Sequence, residues 1–305
     1  MRILVYGAGV LGGVLAHALL RAGNDVTILA RGDWKKNIDQ NGLVIRHWVQ
    51  RRTTVDRIKT IDALPEGDIY DIIFVVMQYT QLADVLGQLA ANKSTHVVLV
   101  GNNMRALEMQ AALCANHPKQ VLFAFQSSGG RRENGKIICV RMGTRMTLGS
   151  LQGEEVSYPL IRQAFKNTKY TLTFSDNIDA WLKCHIAFVM PIAYVVYACK
   201  GDLKRADKAL INKAIDASSE GYAVLETLNI PIRPQGSEAF VRAGRKKCFL
   251  MLWVAAKTPI GHLVASDHAM AAIGEMRALG EAFEDLIEKS GVATPAWQYL
   301  RQNLP

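Results

Sequence analysis

Ile3-Leu4-Val5-Tyr6-Gly7-Ala8-Gly9-Val10-Leu11-Gly12 decides the fold. An apolar run of strand character passes directly into G-x-G-x-x-G, and Val10 to Ala22 continues as a helix rich in Ala and Leu that stops at Gly23. Asp25-Val26-Thr27-Ile28-Leu29-Ala30 then has the apolar, β-branched make-up of a second buried strand, ending at Arg31. Strand, glycine turn, helix and strand at this spacing are the opening βαβ unit of a dinucleotide site. Gly7 allows the tight turn, Gly9 lets the backbone approach a pyrophosphate, and Gly12 lets helix and strand pack closely. The start of a helix leaves backbone N–H groups without partners, and these face the anion. Gly7, Ala8, Gly9, Val10, Leu11 and Gly12 are therefore the expected cofactor-binding turn.

The end of the second strand selects the cofactor. An NAD site carries Asp or Glu there to bind the ribose 2′-hydroxyl. Arg31 and Gly32 stand in that place, and the first acid is Asp33. A guanidinium matches a 2′-phosphate in charge and in its forked donor geometry. The expected cofactor is NADP, with Arg31 on its 2′-phosphate.

Outward from this unit, the chain of 305 residues is long enough for two domains. Half of it is hydrophobic and 21% is charged, an ordinary globular balance. Lys and Arg exceed Asp and Glu by 36 to 27, for a net charge of +9. The basic residues are scattered, the densest group being Arg242, Arg245, Lys246 and Lys247, and no aromatic interleaving accompanies them. This argues against nucleic acid as a partner and is met in part by a polyanionic cofactor and a carboxylate substrate. The five cysteines are widely spaced, without C-x-x-C or Cys/His patterns, so reduced thiols and no metal are expected. The chain opens straight into a strand, which is not how a secretory signal begins. The apolar stretch Cys184 to Cys199 is shorter than a membrane span. A cytoplasmic protein without a membrane partner is expected.

Further along, Trp34 to Gln40 has no apolar periodicity and is expected as a polar connection. Leu43 to Val49 and Thr53 to Ile58 suggest a hairpin, and Asp71 to Val76 a central parallel strand. Thr80 to Leu89 is expected as a helix capped by Thr80, followed by a strand at His96 to Val100, a helix at Ala106 to Ala115 and a strand at Val121 to Phe125. Alternation of this kind builds a doubly wound α/β sheet. Lys136 to Arg141, Arg145 to Leu148 and Tyr170 to Phe174 suggest three antiparallel strands. Beyond Ser175-Asp176-Asn177 only helices are indicated: Asp179 to Cys199, Lys204 to Leu228, Ser237 to Ala256, Ala269 to Ser290 and a short one near Trp297. The expected architecture is a Rossmann-type nucleotide-binding domain over 1–175 and an all-helical domain for substrate and dimerisation over 176–305.

Asn102 after a strand, Trp181-Leu182-Lys183 opening a long helix, and Gly291-Val292-Ala293-Thr294-Pro295 near the end resemble the ketopantoate reductase family. The resemblance implies NADPH-dependent reduction of a 2-oxo acid to its 2-hydroxy acid, with Lys183 as the catalytic acid. It places a family glutamate on Glu275 and a family asparagine, near the nicotinamide, on Asn102. The chemistry agrees: hydride delivery to a carbonyl leaves an alkoxide that needs a proton donor and a nearby cation. Glu275 can orient the ammonium or accept a substrate hydroxyl. Most of Glu281, Glu284 and Glu288 are read as solvent-facing acids, and Tyr6 and His185 as packing.

Three departures from the family pattern bear on substrate. A family lysine after the central strand is Gln78 here, which can hydrogen-bond to cofactor but has no charge. A polar position four residues beyond Lys183 is Ala187, and an asparagine-proline pair is Met190-Pro191. With Ala187 on the Lys183 face of the helix, the pocket is expected to favour a 2-oxo acid less polar than ketopantoate, unless Ser127, Ser128 or Arg277 supplies donors. Two other readings stay open, a non-catalytic NADP-binding sensor and a two-domain dehydrogenase with another substrate. The expected partners are a small-molecule 2-oxo acid and, through the helical domain, a second copy of the chain.

Overall fold

A computed structural model of the protein describes residues 1–151 and 157–305. They form two units, Met1–Gly101 with Arg105–Ile178, and Asn102–Met104 with Asp179–Pro305.

The first unit is built on one sheet of ten strands: β1 (Arg2–Tyr6), β2 (Asp25–Leu29), β3 (Leu43–His47), β4 (Arg52–Asp56), β5 (Lys59–Ile61), β6 (Ile72–Val76), β7 (His96–Val100), β8 (Gln120–Glu133), β9 (Lys136–Gly149) and β10 (Tyr170–Phe174). Their order is β4-β3-β9-β8-β7-β6-β1-β2-β5, with β10 also on β9. The six strands from β5 to β8 are all parallel. In chain order they run 3-2-1-4-5-6, the arrangement of dinucleotide-binding sheets. Every residue of β6 is buried, as both faces of a parallel sheet must be when helices cover them. Five helices accompany the sheet: α1 (Val10–Arg21), α2 (Gly32–Asn41), α3 (Ala83–Ala91), α4 (Ala106–Leu113) and α5 (Tyr158–Phe165). The chain leaves β1 toward β2 and β5, then returns to build outward from β6, so the carboxyl ends of β1 and β6 flank the switch point where such sheets bind ligands.

Several local expectations are corrected. Trp34 to Gln40 lies within helix α2, which a periodicity argument misses because only Ile38 of it is buried. Lys35–Asp39 and Lys36–Asp33 pairs along its surface hold it instead. Thr80 caps nothing; Gln78 caps a 3₁₀ turn at Tyr79–Gln81, and α3 starts only at Ala83. The two segments at 136–141 and 145–148 are one strand, β9, antiparallel to β8 with an irregularity between Ser127 and Gly129. The strand β10 lies parallel, not antiparallel, to β9, because α5 carries the chain back before it pairs.

In the second unit α6 (Ile178–Ala198) is followed by α7 (Lys208–Thr227), α8 (Ser237–Val241) and α9 (Arg245–Lys257). What was expected as one helix from Ser237 to Ala256 is thus two, parted at Gly244, where a side chain would meet the Phe240 carbonyl oxygen at 2.7 Å. The last long helix begins at Ile273 rather than Ala269, after a π-helical turn at His262–Ser266 and a short turn at Asp267–Ala271. At 21 residues α6 is longer than the apolar core of its sequence, and by length and composition it could cross a membrane. Its apolar window is 67% buried within the structure, as befits the core helix of a globular unit. Trp297 anchors this core, stacked on Phe283 at 4.6 Å and edge-on to Tyr194. Glu220 of α7 holds the final helix, Pro295–Arg301, by accepting from the backbone N–H groups of Ala296 and Trp297. Glu284, expected in solvent, accepts from the indole N–H of Trp297 at 2.8 Å.

Candidate active site

The three glycines of the turn differ in the space around them. At Gly7, where φ is +119°, a Cβ would lie 2.2 Å from the Val76 carbonyl oxygen, so only glycine lets the turn pass the end of β6. A Cβ on Gly12 would lie 1.9 Å from the carbonyl oxygen of Gly7, so α1 packs at a distance no other residue permits. Gly9 differs: nothing of the protein lies within 4 Å of where its Cβ would be. Its missing side chain leaves open space beside the start of α1, where Gly9 is the N-cap and no side-chain cap or acidic residue occupies the first N–H groups. That combination of room and unclaimed donors suits a pyrophosphate.

Arg31 closes the other end of the βαβ unit. It is exposed, and its Nη2 donates to the hydroxyl of buried Tyr6 at 3.0 Å. The Tyr6 hydroxyl donates in turn to Gln88 Oε1 at 2.7 Å, and Gln88 Nε2 donates to the Leu64 carbonyl at 3.2 Å. Tyr6 is therefore more than packing. It fixes one edge of the guanidinium and leaves the other nitrogens for an anion. Trp34 of α2 reaches back as well, its indole N–H donating to the carbonyl of Ala8 within the glycine turn at 2.7 Å. Neither Tyr6 nor Trp34 carried a sequence signal for this, since both contacts depend on where β2 and α2 dock.

Gln78 follows β6 and is engaged with Gln81 across the 3₁₀ turn, its backbone N–H meeting Gln81 Oε1 at 3.4 Å. Asn102 groups with the second unit and is buried, and its Oδ1 has no hydrogen-bond partner among the described residues. A buried amide oxygen left without a donor is costly, and a ligand N–H would satisfy it.

In the helical unit Lys183 is mostly buried, with its side chain 14% exposed, and its ammonium pairs with Asp179 one turn earlier on α6. Asp179, not Glu275, orients it. The expectation for Ala187 fails on packing: it is fully buried, and its Cβ lies 3.1 Å from where a Cβ on Gly221 of α7 would stand. It fills a close helix crossing, so its lack of polarity reflects that crossing. Ser128 accepts from Gln126, and Arg277 donates to the carbonyl of Pro305.

Glu275 opens the helix Ile273–Ser290 and is only 3% exposed. The Nε2 of His268 lies 4.0 Å from its Oε2. His268 also neighbours His185, which stacks on Trp181 with ring centroids 5.3 Å apart. Burial, with His268 adding to it, pushes His185 down to about 4, so it is neutral at physiological pH. Burial and the Glu275 charge push the Tyr197 phenol up to about 12, leaving its proton to donate to the Ala269 carbonyl at 2.8 Å. His268 and Tyr197 escaped sequence reasoning because no motif names them.

Residues 3–153 match the protein-family model described as "Ketopantoate reductase PanE/ApbA". A 2-dehydropantoate 2-reductase of Pyrococcus abyssi is 23% identical over 234 residues, 73% of this chain and 73% of that protein. A 2-dehydropantoate 2-reductase structure from Geobacter metallireducens superposes with a TM-score of 0.79 at 16% identity, covering 100% of this chain and 99% of that one. The ternary structure of D-mandelate dehydrogenase with NADH and anilino(oxo)acetate gives 0.79 at 16% identity, covering 100% and 97%. At such identities the superpositions speak for the fold, and the family match speaks for descent. With the glycine turn, the sheet order and the matched stretch in agreement, the chain belongs to the ketopantoate reductase family of oxidoreductases.

Proposed function

We propose that the protein is an NADPH-dependent reductase that converts a 2-oxo acid, ketopantoate or a less polar relative, to the 2-hydroxy acid. The observation that carries this reading is Arg31, held by Tyr6 at the end of β2, beside a glycine turn whose open side and unclaimed N–H groups fit a pyrophosphate. A cofactor with a 2′-phosphate satisfies both ends of that unit. When bound, NADPH supplies the hydride. Gly7 to Gly12 hold the pyrophosphate, Arg31 the 2′-phosphate, and Asn102 and Gln78 supply polar contacts to the cofactor.

Lys183 carries the acid role. Its ammonium, ordered by Asp179, neutralises the alkoxide left by hydride addition and gives it a proton. Glu275 accepts a hydroxyl of the substrate. The D-mandelate dehydrogenase relative acts, by its name, on an aromatic hydroxy acid, which keeps less polar 2-oxo acids in the range to be tried. The packed position of Ala187 removes one reason for expecting ketopantoate itself to be poor.

The test is a screen of 2-oxo acids, ketopantoate and phenylglyoxylate among them, with NADPH and NADH, followed by nicotinamide absorbance. Turnover with NADPH well above NADH supports the reading. Tight NADPH binding without turnover of any carbonyl compound overturns it in favour of a cofactor-binding sensor.

A further inference from the structure

We propose that Arg132, near the end of β8, is a second cation of the cofactor site and holds the pyrophosphate of the dinucleotide. The proposal rests on the dinucleotide reading above and adds a side chain to a phosphate site otherwise made of backbone. Three observations carry it.

The first is the course of β8. Its Ala124 is in register with Val100 and Val76, the last residues of β7 and β6. Beyond Ala124 the strand leaves β7 and continues to Glu133 paired with β9 alone. This extension therefore stands past the carboxyl ends of the parallel strands, where such sheets bind ligands. There it meets the start of α1. Gln126 Nε2 donates to the Leu11 carbonyl at 3.4 Å, and a Cβ on Gly13 would lie 2.2 Å from Cδ1 of Ile137. Arg132 is the residue opposite Ile137 in the β8–β9 ladder. Gly13 in turn donates its N–H to the Gly9 carbonyl at 2.9 Å, so the hairpin touches α1 one turn from the open space at Gly9.

The second is Trp34. The guanidinium carbon of Arg132 lies over its ring, 5.2 Å from the centroid. The N–H of the same indole is the one that donates to the Ala8 carbonyl within the glycine turn, at 2.7 Å. One flat side chain thus joins Arg132 to that turn. Asn37 Nδ2, donating to the Gly135 carbonyl at 2.9 Å, ties α2 to the same hairpin and fixes the arrangement. A ring face attracts a cation without using its N–H donors, so the guanidinium fork stays available.

The third is charge. Nearby cations are already matched: Arg131 pairs with Glu133, Lys36 with Asp33 and Lys35 with Asp39. Among the described residues no carboxylate pairs with Arg132, whose guanidinium rests on Trp34. No acid stands in the first turn of α1 either. A cation without a counter-ion, held beside unclaimed backbone N–H groups, is complementary to a phosphate, and its fork can bind two phosphate oxygens. The labour then divides between two arginines. Arg31 reads the 2′-phosphate and selects the cofactor, whereas Arg132 binds what NADPH and NADH share.

The test separates those two phosphates. Wild type, Arg132→Gln, Arg132→Lys and Arg31→Ala are titrated by fluorescence with NADPH, NADH and adenosine 2′-monophosphate, which has the 2′-phosphate and no pyrophosphate. Arg132→Gln should weaken NADPH and NADH alike, each by roughly tenfold or more, the loss of one charge-assisted contact. Its affinity for adenosine 2′-monophosphate should stay near wild type, and Arg132→Lys should recover part of the loss. Arg31→Ala should give the opposite pattern, weakening NADPH and adenosine 2′-monophosphate while NADH holds. Unchanged affinity for both dinucleotides in Arg132→Gln would overturn the assignment. So would a loss confined to NADPH, which would put Arg132 on the 2′-phosphate, or an equal loss on all three ligands, which would mean a structural role. Should Arg132→Gln fail to fold, the same three ratios read on Arg132→Lys decide. A wild type that binds neither dinucleotide overturns the cofactor reading and this assignment with it. A wild type that binds them beside an indifferent Arg132→Gln overturns the assignment only.

Discussion

Two buried carboxylates in this molecule each meet a histidine, and they end differently. In the first unit Asp56 is closed on both sides: Oδ2 meets Nδ1 of His17 at 2.5 Å, and Oδ1 accepts from Arg21 Nε at 2.8 Å. His17 is 4% exposed and lies against the buried ring of His47, whose Nε2 meets Thr54. The cluster ties α1 to the β3–β4 hairpin and buries both Asp56 and His17, leaving only Arg21 half-exposed. In the second unit Glu275 is equally buried, but its histidine stands off from it and turns half its surface outward. The ingredients are the same and the geometry is not. A histidine bonded directly to a buried carboxylate stabilises; one that stands off at 4.0 Å with half its side chain exposed adds little to the packing.

The comparison can be broken by mutation. The largest effect belongs to the proposed acid of the second unit: Lys183→Ala should lower kcat by about 10² to 10⁴, the usual range for a positioned acid. NADPH affinity should change little, and wild-type turnover in this variant would remove Lys183 from the mechanism.

Next comes the closed side. Asp56→Ala leaves His17 buried without its partner and should cost about 3 kcal/mol of stability, the lower end for a broken buried pair because Arg21 is half-exposed. Chemical denaturation measures this. Specific activity of the folded fraction should be unchanged. Glu275→Gln should show the reverse, a loss of turnover with little change in the denaturation midpoint, and equal destabilisation by both variants would erase the distinction drawn here.

A smaller effect is expected at the cofactor. Arg31→Ala should remove a preference for NADPH over NADH of roughly ten- to a hundredfold, the worth of a charge-assisted contact of about 1.5–3 kcal/mol. Fluorescence titration with the two cofactors reads it directly, and equal affinities in the wild type would return the cofactor to NAD.

The smallest effect concerns acid. Burial pushes the Asp56 carboxyl up, but the bonds from His17 and Arg21 outweigh it and hold the group below its ordinary value. A depressed carboxyl contributes stability that is fully present above the unfolded value of about 3.9 and fades as pH falls through the folded one. Asp56→Asn should therefore flatten this acid limb in a series of melts at falling pH. A variant with the wild-type acid profile would show that the cluster carries no linkage.

How much was legible in advance follows the range of the forces. The first βαβ unit could be read residue by residue, since a glycine at φ +119° and an apolar strand are demands made within a few positions. So could the all-buried run of β6. Helix α2 was illegible because it buries one side chain and owes its place to ion pairs and to Trp34 docking on Ala8. The orientation of Ala187 was misjudged for a related reason. Sequence spacing says which residues share a helix face, but the neighbouring helix decides whether that face meets a crossing or a ligand.

Motif and pattern by themselves determined the dinucleotide fold, the change to an all-helical second half, the arginine at the end of β2, and the candidacy of Lys183 and Glu275. These rest on local backbone geometry, on hydrophobic period and on a family pattern, all of which are written along the chain. Tertiary structure alone decided that Tyr6 holds Arg31, that Asp179 pairs with Lys183, that Asp56 closes on His17, and that His268 comes within 4.0 Å of Glu275. Each of these is a contact between particular atoms, and the Coulomb and hydrogen-bond energies involved change over a few tenths of a nanometre. Spacing along the chain does not resolve such distances; the docking of helices and strands does.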